Sequence, residues 1–218
     1  QQRMALSAVE TVFAAESLTS SQSSSGSTSV SASLDLATVL KVSQALSSEI
    51  QFDKLLATLL QTVLENAGAD KGVLLMPRGQ QWFVEAIAIL DQLTQAESTP
   101  LSDSTEIPHS LINTVKRSLE PMVIVDAAVH PTLTADAYVV KHQPKSLLCT
   151  PILQQGKLIA ILYIENHVTA GAFTDDRIEL LNAICAQAAI SLENARLYQQ
   201  AQTYAQQLEQ SQLQIVQS

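Results

Sequence analysis

The sequence predicts an α+β fold with antiparallel hairpins, helices set apart from them, and one long terminal helix. Three observations carry that prediction. The β-type runs are short and joined by glycine-containing turns. Helical stripes fall before, between and after those runs instead of alternating with each strand. The last forty-five residues, Thr174 to Ser218, keep a helical pattern without interruption.

The elements follow in order. Residues 4–18 could form a short helix, the tail of something upstream. Residues 19–33 hold nine Ser, two Thr and one Gly, a composition that cannot bury a core and reads as a linker. Order is expected to resume at Leu34. Asp35 is a suitable N-cap, and Leu36, Val39, Leu40, Val42 and Leu46 form a helical stripe. Asp53 opens a second helix, with Leu55, Leu56, Leu59, Leu60, Val63 and Leu64 on its apolar face and Gly68 as its C-cap. Lys71–Met76 and Trp82–Ile89 read as a hairpin around Pro77–Gln80. Leu90–Thr105 is polar and loop-like. Pro108 suits the start of a helix to about Leu119. Met122–Val125 is a short strand ending at Asp126, and residues 127–145 form a long connection. Ser146–Leu153 and Lys157–Ile164 are strands joined by Gln154-Gln155-Gly156. Thr174 then caps the long helix, whose first residues, Asp175 and Asp176, favour its positive end.

That helix carries two apolar faces. Ile178, Leu181, Cys185, Ala188, Leu192 and Ala195 make a short stripe that stops where a domain of ordinary size would stop. Leu180, Ala183, Gln187, Ile190, Asn194, Leu197, Ala201, Tyr204, Leu208, Ser211 and Ile215 alternate three- and four-residue steps, the period of a coiled coil. At the usual rise, the segment spans roughly 67 Å. A helix with one stripe for its own domain and another for a partner would tie the state of the domain to the geometry of a dimer. The expected dimer seam is Leu180, Ile190, Leu197, Tyr204, Leu208 and Ile215, with polar Gln187 and Asn194 setting register.

Composition bounds the function. The chain has 218 residues and a net charge of −9. The charge is spread without a basic patch, which argues against nucleic acid and anionic membrane as partners. No apolar run approaches the ~20 residues of a membrane span. Cys149 and Cys185 sit in apolar runs and read as core residues of a cytoplasmic protein. No Gly-x-Ser-x-Gly nucleophile motif occurs, and the six glycines are scattered singly, so no phosphate-binding loop is present. His109, His130, His142 and His167 lack paired ligand spacing, so no metal site is expected and a loop role is the default for each. Asp126 and Glu165 fall at strand ends, where capping or solvation is the ordinary role.

Several segments in a fixed order resemble a GAF domain: Ser146-Leu-Leu-Cys-Thr-Pro-Ile-Leu153, Gly156-Lys-Leu-Ile-Ala-Ile-Leu-Tyr-Ile-Glu-Asn166, Phe173-Thr-Asp-Asp-Arg-Ile-Glu-Leu-Leu181 and Ala186-Gln-Ala-Ala-Ile-Ser-Leu-Glu-Asn-Ala195. The resemblance implies a GAF-type fold with a central antiparallel sheet of about five to six strands. Helices would cover one face, with a connecting-loop pocket on the other. It also implies three segments: a tail and linker over 1–33, the domain over 34–198, and a coiled-coil stalk over 199–218 toward a downstream output domain.

The flanks resemble those of large cyanobacterial-type multi-sensor signalling kinases of the histidine or hybrid serine/threonine kind. The first flank is Leu34-Asp-Leu-Ala-Thr-Val-Leu-Lys-Val-Ser-Gln-Ala-Leu46 and the second is Leu208 to Ser218. The resemblance therefore implies a non-catalytic, cytoplasmic sensory or relay module that forms a homodimer and acts on a histidine kinase core. The alternatives are a ligand-free dimerisation module or a regulatory domain feeding a nucleotide cyclase. Pocket positions implied by the resemblance are Met76, Trp82, Phe83, Val125, Tyr138, Leu148, Thr150 and Tyr163. Trp82, Tyr138, Thr150 and Tyr163 are the foremost of these for a small-molecule ligand of unknown identity. Phytochrome-like members attach a bilin through a Cys in the connection, but residues 127–145 contain none, so no covalent bilin is expected. Cyclic-nucleotide-binding members carry an Asn-Lys…Phe…Asp-Glu pattern. It is met only in part here, by Asn166, Phe173 and Asp176, with His167 and Arg177 departing from it.

Overall fold

A computed structural model describes residues 38–39, 41–46 and 51–216. The Ser-rich segment, the proposed cap Asp35 and the two last residues lie outside the described residues. Residues 38–39 and 41–46 are helical, and Val42 and Leu46 are buried.

Helix α1 spans Phe52–Ala67. Its leucines recur at three- and four-residue spacing, and Leu55, Leu59, Leu60 and Val63 are fully buried. It ends at Gly68, which takes the left-handed conformation at φ 72°. A Cβ added there would meet the Arg177 guanidinium at 2.4 Å, so the cap also lets the first turn of the last helix close on the end of α1.

Six strands form one antiparallel sheet: β1 Lys71–Arg78, β2 Gln81–Ile89, β3 Gln95–Pro100, β4 Met122–Ile124, β5 Ser146–Gln154 and β6 Lys157–Asn166. Their order across the sheet is β3-β2-β1-β6-β5-β4. The β5–β6 hairpin turns on Gln155 and Gly156 alone, both at positive φ (51° and 76°). Such a two-residue turn matches the natural twist of paired strands. Helix α2 is His109–Ser118, α3 is Ala137–His142 and α4 is Asp175–Val216.

The central strands β1 and β6 are buried on both faces, so they read as continuous apolar runs. Alternation still decides which face each residue serves. Leu74, Leu148, Ile152, Ala160, Leu162 and Ile164 pack with α1, Leu181, Ile184, Ala188 and Leu192. Val73, Leu75, Leu147, Cys149, Ile161 and Tyr163 pack with α2, α3 and Leu133.

Two expectations are corrected here. The polar stretch Leu90–Thr105 contains edge strand β3, in which none of the six residues is buried. Backbone pairing with β2 holds it where no apolar pattern announces a strand. The 127–145 connection also contains α3, whose N-cap Asp136 accepts a hydrogen bond from the Tyr138 amide at 2.9 Å.

The two faces of α4 separate as their spacing predicts. Leu181, Cys185, Ala188, Leu192 and Ala195 are buried in the domain. On the other stripe Leu180 is half-buried, while Ile190, Leu197, Tyr204, Leu208 and Ile215 are exposed.

Candidate functional site

A group of polar side chains is buried on the α2/α3 face of the sheet. It begins with strand register. Lys71 opens β1 directly opposite Glu165 near the end of β6, and Glu165 is opposite Leu147 of β5. Period-two alternation places Lys71 on the same face as Val73 and Leu75, and Glu165 on the same face as Ile161 and Tyr163. Glu165 is completely buried.

Its carboxylate is held by hydroxyls. Tyr138 donates to its two oxygens at 2.7 and 2.8 Å, and Tyr163 donates to Oε2 at 2.5 Å. The two tyrosine rings meet edge-on with centroids 6.4 Å apart. Burial, then the neighbouring Glu165 charge, holds both hydroxyls well above the ordinary tyrosine range, so they stay protonated and donate. Lys71 Nζ donates to the Tyr138 hydroxyl at 3.0 Å and to the Glu106 carboxylate at 2.8 Å. The Lys71 hydrogen bond holds the Glu106 carboxyl below its ordinary range. Through Tyr138 this network fastens the 127–145 connection to the sheet. Asp136 ties α3 to α2 by accepting from the Ser110 hydroxyl at 2.6 Å.

Beside Glu165, at the boundary with solvent, lies His167. Its Nδ1 is 2.8 Å from Asp70 Oδ1 and its Nε2 is 3.4 Å from Glu165 Oε1. The His167 backbone amide donates to Asp70 Oδ2 at 2.6 Å. Asn166 donates from its side chain to the Gly68 carbonyl at 2.8 Å. These contacts join the α1–β1 connection to the segment that leads into α4.

The positions implied by the resemblance do not converge. Tyr138 and Tyr163 meet, as just described. Thr150 pairs with Leu162 and, by alternation from Cys149, turns to the α1/α4 face, as do Leu148 and Met76. Trp82 is half-buried opposite Pro77, six residues along β1 from Lys71 and so about 20 Å away at the rise of a strand. Phe83 lies under the Arg78 guanidinium at 4.7 Å, and Val125 is exposed. The space between the sheet and the connection is filled by Leu133, Tyr138 and Val139. An open, mainly apolar cleft of about 270 Å³ remains on the connection itself, between Ala127, Val139, Val140 and Pro144.

The expectation for Glu165 is overturned: it is neither solvated nor a cap but the most enclosed acid of the described residues. Asp126 does cap, accepting from the Ala128 amide at 3.0 Å. His142 stacks on Tyr138 at 4.3 Å. Sequence reasoning missed Lys71, Asp70 and Glu106. A lysine at the head of an apolar strand was the available signal, but its partners Glu106 and Tyr138 are 35 and 67 residues away in the chain. Cys149 and Cys185 are free and buried. Burial pushes the Cys185 thiol up to about 12 and the Cys149 thiol higher, so neither is a nucleophile.

The GAF domain family matches residues 51–192. Hybrid signal transduction histidine kinase G of Dictyostelium discoideum is 27% identical over 264 residues, covering 76% of this chain and 8% of that protein. Peroxide stress-activated histidine kinase mak3 of Schizosaccharomyces pombe is 25% identical over 169 residues, covering 76% of this chain and 7% of that protein. The chain therefore spans less than a tenth of the length of these relatives. The GAF domain of an Acinetobacter phosphoenolpyruvate-protein phosphotransferase superposes with a TM-score of 0.60 at 19% identity, covering 75% of this chain and 95% of that structure. That likeness is one of fold.

Proposed function

This chain belongs to the GAF domain family, and from that premise we propose that it is a sensory relay module of a cytoplasmic histidine kinase, dimerising through parallel packing of α4. The observation that carries the reading is the division of one helix between two environments. Leu181 to Ala195 are fastened into the domain core, and Leu197, Tyr204, Leu208 and Ile215 form an exposed apolar stripe in heptad phase. Any shift of the sheet or of α1 moves the inner half of α4, and a rigid helix carries that shift to the outer half. The histidine kinase context of the two relatives supports the output assigned here. No helix among the described residues is long and apolar enough to cross a membrane.

The filled space behind Tyr138 favours a relay that responds to dimer geometry rather than to a molecule held against the sheet. The apolar cleft beside Val139 and Pro144 favours a second reading, in which a small molecule enters the connection from outside and pulls on α3.

Heptad phase gives the test. Seven residues inserted after Gln206 in the parent kinase preserve the stripe, whereas four rotate everything downstream by about 50°. Autophosphorylation should survive the first insertion and change severalfold with the second. Equal activity in both would rule out transmission through α4.

A further inference from the structure

We propose that Asp70, Glu165 and His167 form a binding site for one divalent transition-metal ion of the zinc type. The inference stands apart from the relay reading and uses different residues. One carboxylate oxygen from each acid and one ring nitrogen lie within 4.8 Å of one another. Any three atoms no more than 4.8 Å apart share a point within about 2.8 Å of each, against metal–ligand distances of about 2.0–2.2 Å for zinc. Inward movement of at most about 0.6–0.8 Å per ligand therefore closes the site.

Charge argues for a cation here. Asp70, Glu106 and Glu165 place three carboxylates around one permanent cation, Lys71. That ammonium is directed to Glu106 and the Tyr138 hydroxyl rather than to Glu165. Glu165 is fully enclosed and the nearest basic nitrogen is His167 Nε2 at 3.4 Å, so a divalent ion at the Glu165–His167 edge would add compensating charge.

The surroundings have the form of a supporting shell. Tyr138 and Tyr163 orient the Glu165 carboxylate from behind, as hydrogen-bond donors do for ligating carboxylates. Asp70 is set by the His167 amide and by a backbone bond from the Asp70 amide to the Glu165 carbonyl at 2.9 Å. Solvent reaches the His167 side, whose side chain is 38% exposed, so the ion has a way in and keeps water in its remaining positions. One imidazole and two carboxylates suit zinc, cobalt or manganese better than calcium or magnesium, which take oxygen ligands.

The test uses the chain after dialysis against a chelator. Titration with Co²⁺ should give visible absorption saturating at one ion per chain. Zn²⁺ should displace the Co²⁺ and raise the melting temperature in a concentration-dependent way. His167→Ala and Asp70→Asn should each weaken binding by roughly tenfold or more. Both positions are at the surface end of the cluster, so these variants keep the fold even if Glu165→Gln does not. The proposal is overturned if millimolar Co²⁺ gives no visible absorption beyond that of the aqueous ion and Zn²⁺ no thermal shift. It is equally overturned if both variants bind as the parent does, or if Mg²⁺ competes on equal terms.

Discussion

The two halves of α4 belong to one continuous helix and lie in opposite surroundings. Between Leu181 and Ala195 the helix buries leucine, isoleucine, cysteine and alanine against α1 and β5. Between Leu197 and Ile215 it presents Leu197 at 49%, Tyr204 at 68%, Leu208 at 64% and Ile215 at 74% exposure. Helix propensity does not separate them. What differs is the periodicity of the apolar residues: the inner stripe ends at Ala195, while the outer one continues in three- and four-residue steps. Most of the stability of a helix in a protein comes from packing its amphipathic face, and the outer half packs none of its face on its own domain. The outer half therefore calls for a partner in a way the inner half does not.

Substitution should expose that contrast most strongly. Leu192→Asp places a charge at a fully buried site and should destabilise the domain by about 4 kcal/mol or more. At concentrations where the chain is monomeric, the same change at Leu208 should leave domain stability within about 0.5 kcal/mol. Chemical denaturation followed by Trp82 fluorescence reads both. Comparable losses would mean that the outer half is packed on its own domain.

A milder perturbation addresses the opposite face of the sheet. Tyr138→Phe removes the hydroxyl between Lys71 and Glu165 and leaves a buried carboxylate with one donor fewer, at a cost of about 1–3 kcal/mol. Proteolysis within residues 127–145 should accelerate in parallel, since Tyr138 is the tether. An unchanged cleavage rate would place the tether elsewhere. Thiol labelling separates the buried regions from solvent without mutation. Cys185 in inner α4 and Cys149 in β5 should both resist a thiol reagent until the domain unfolds.

The smallest effect belongs to Glu106. Its carboxyl is lowered by Lys71, so the pair adds stability above the unfolded-state pKa. That stability is lost as pH falls through the folded-state value. The Glu106 side chain is 42% exposed, which limits the contribution to below about 1 kcal/mol. Glu106→Gln should flatten that part of the acid stability profile, measured by thermal melts between neutral and acid pH.

Most of the fold was legible because its signals are local. The leucine spacing of α1, the Gln155-Gly156 turn and the two stripes of α4 depend only on residues near one another in the chain. β3 was hidden because it is an exposed polar edge, where pairing with β2 substitutes for apolar alternation. α3 was hidden because a six-residue helix offers too little periodicity to detect. The buried polar cluster was the least legible part. Tyr138 and Tyr163 were implied by the family resemblance, and they do meet. Thr150 was grouped with them although it lies an odd number of residues along β5 from Cys149, and alternation turns it to the other face. Asp70 meets Glu165 and His167 because β1 and β6 are neighbours, and Lys71 meets Glu106 and Tyr138 from segments 35 and 67 residues away, long-range contacts that no window of sequence contains.

The central claim, that the outer half of α4 is the dimer seam, is tested most directly by light scattering on the chain and on its Leu197→Asp/Leu208→Asp variant at micromolar concentration. Each leucine buried between two chains contributes about 1.5–3 kcal/mol, so removing two from each chain should abolish association. The account predicts a dimer for the parent chain and, for the variant, a monomer in which the domain itself stays folded. Equal masses for the two would contradict it.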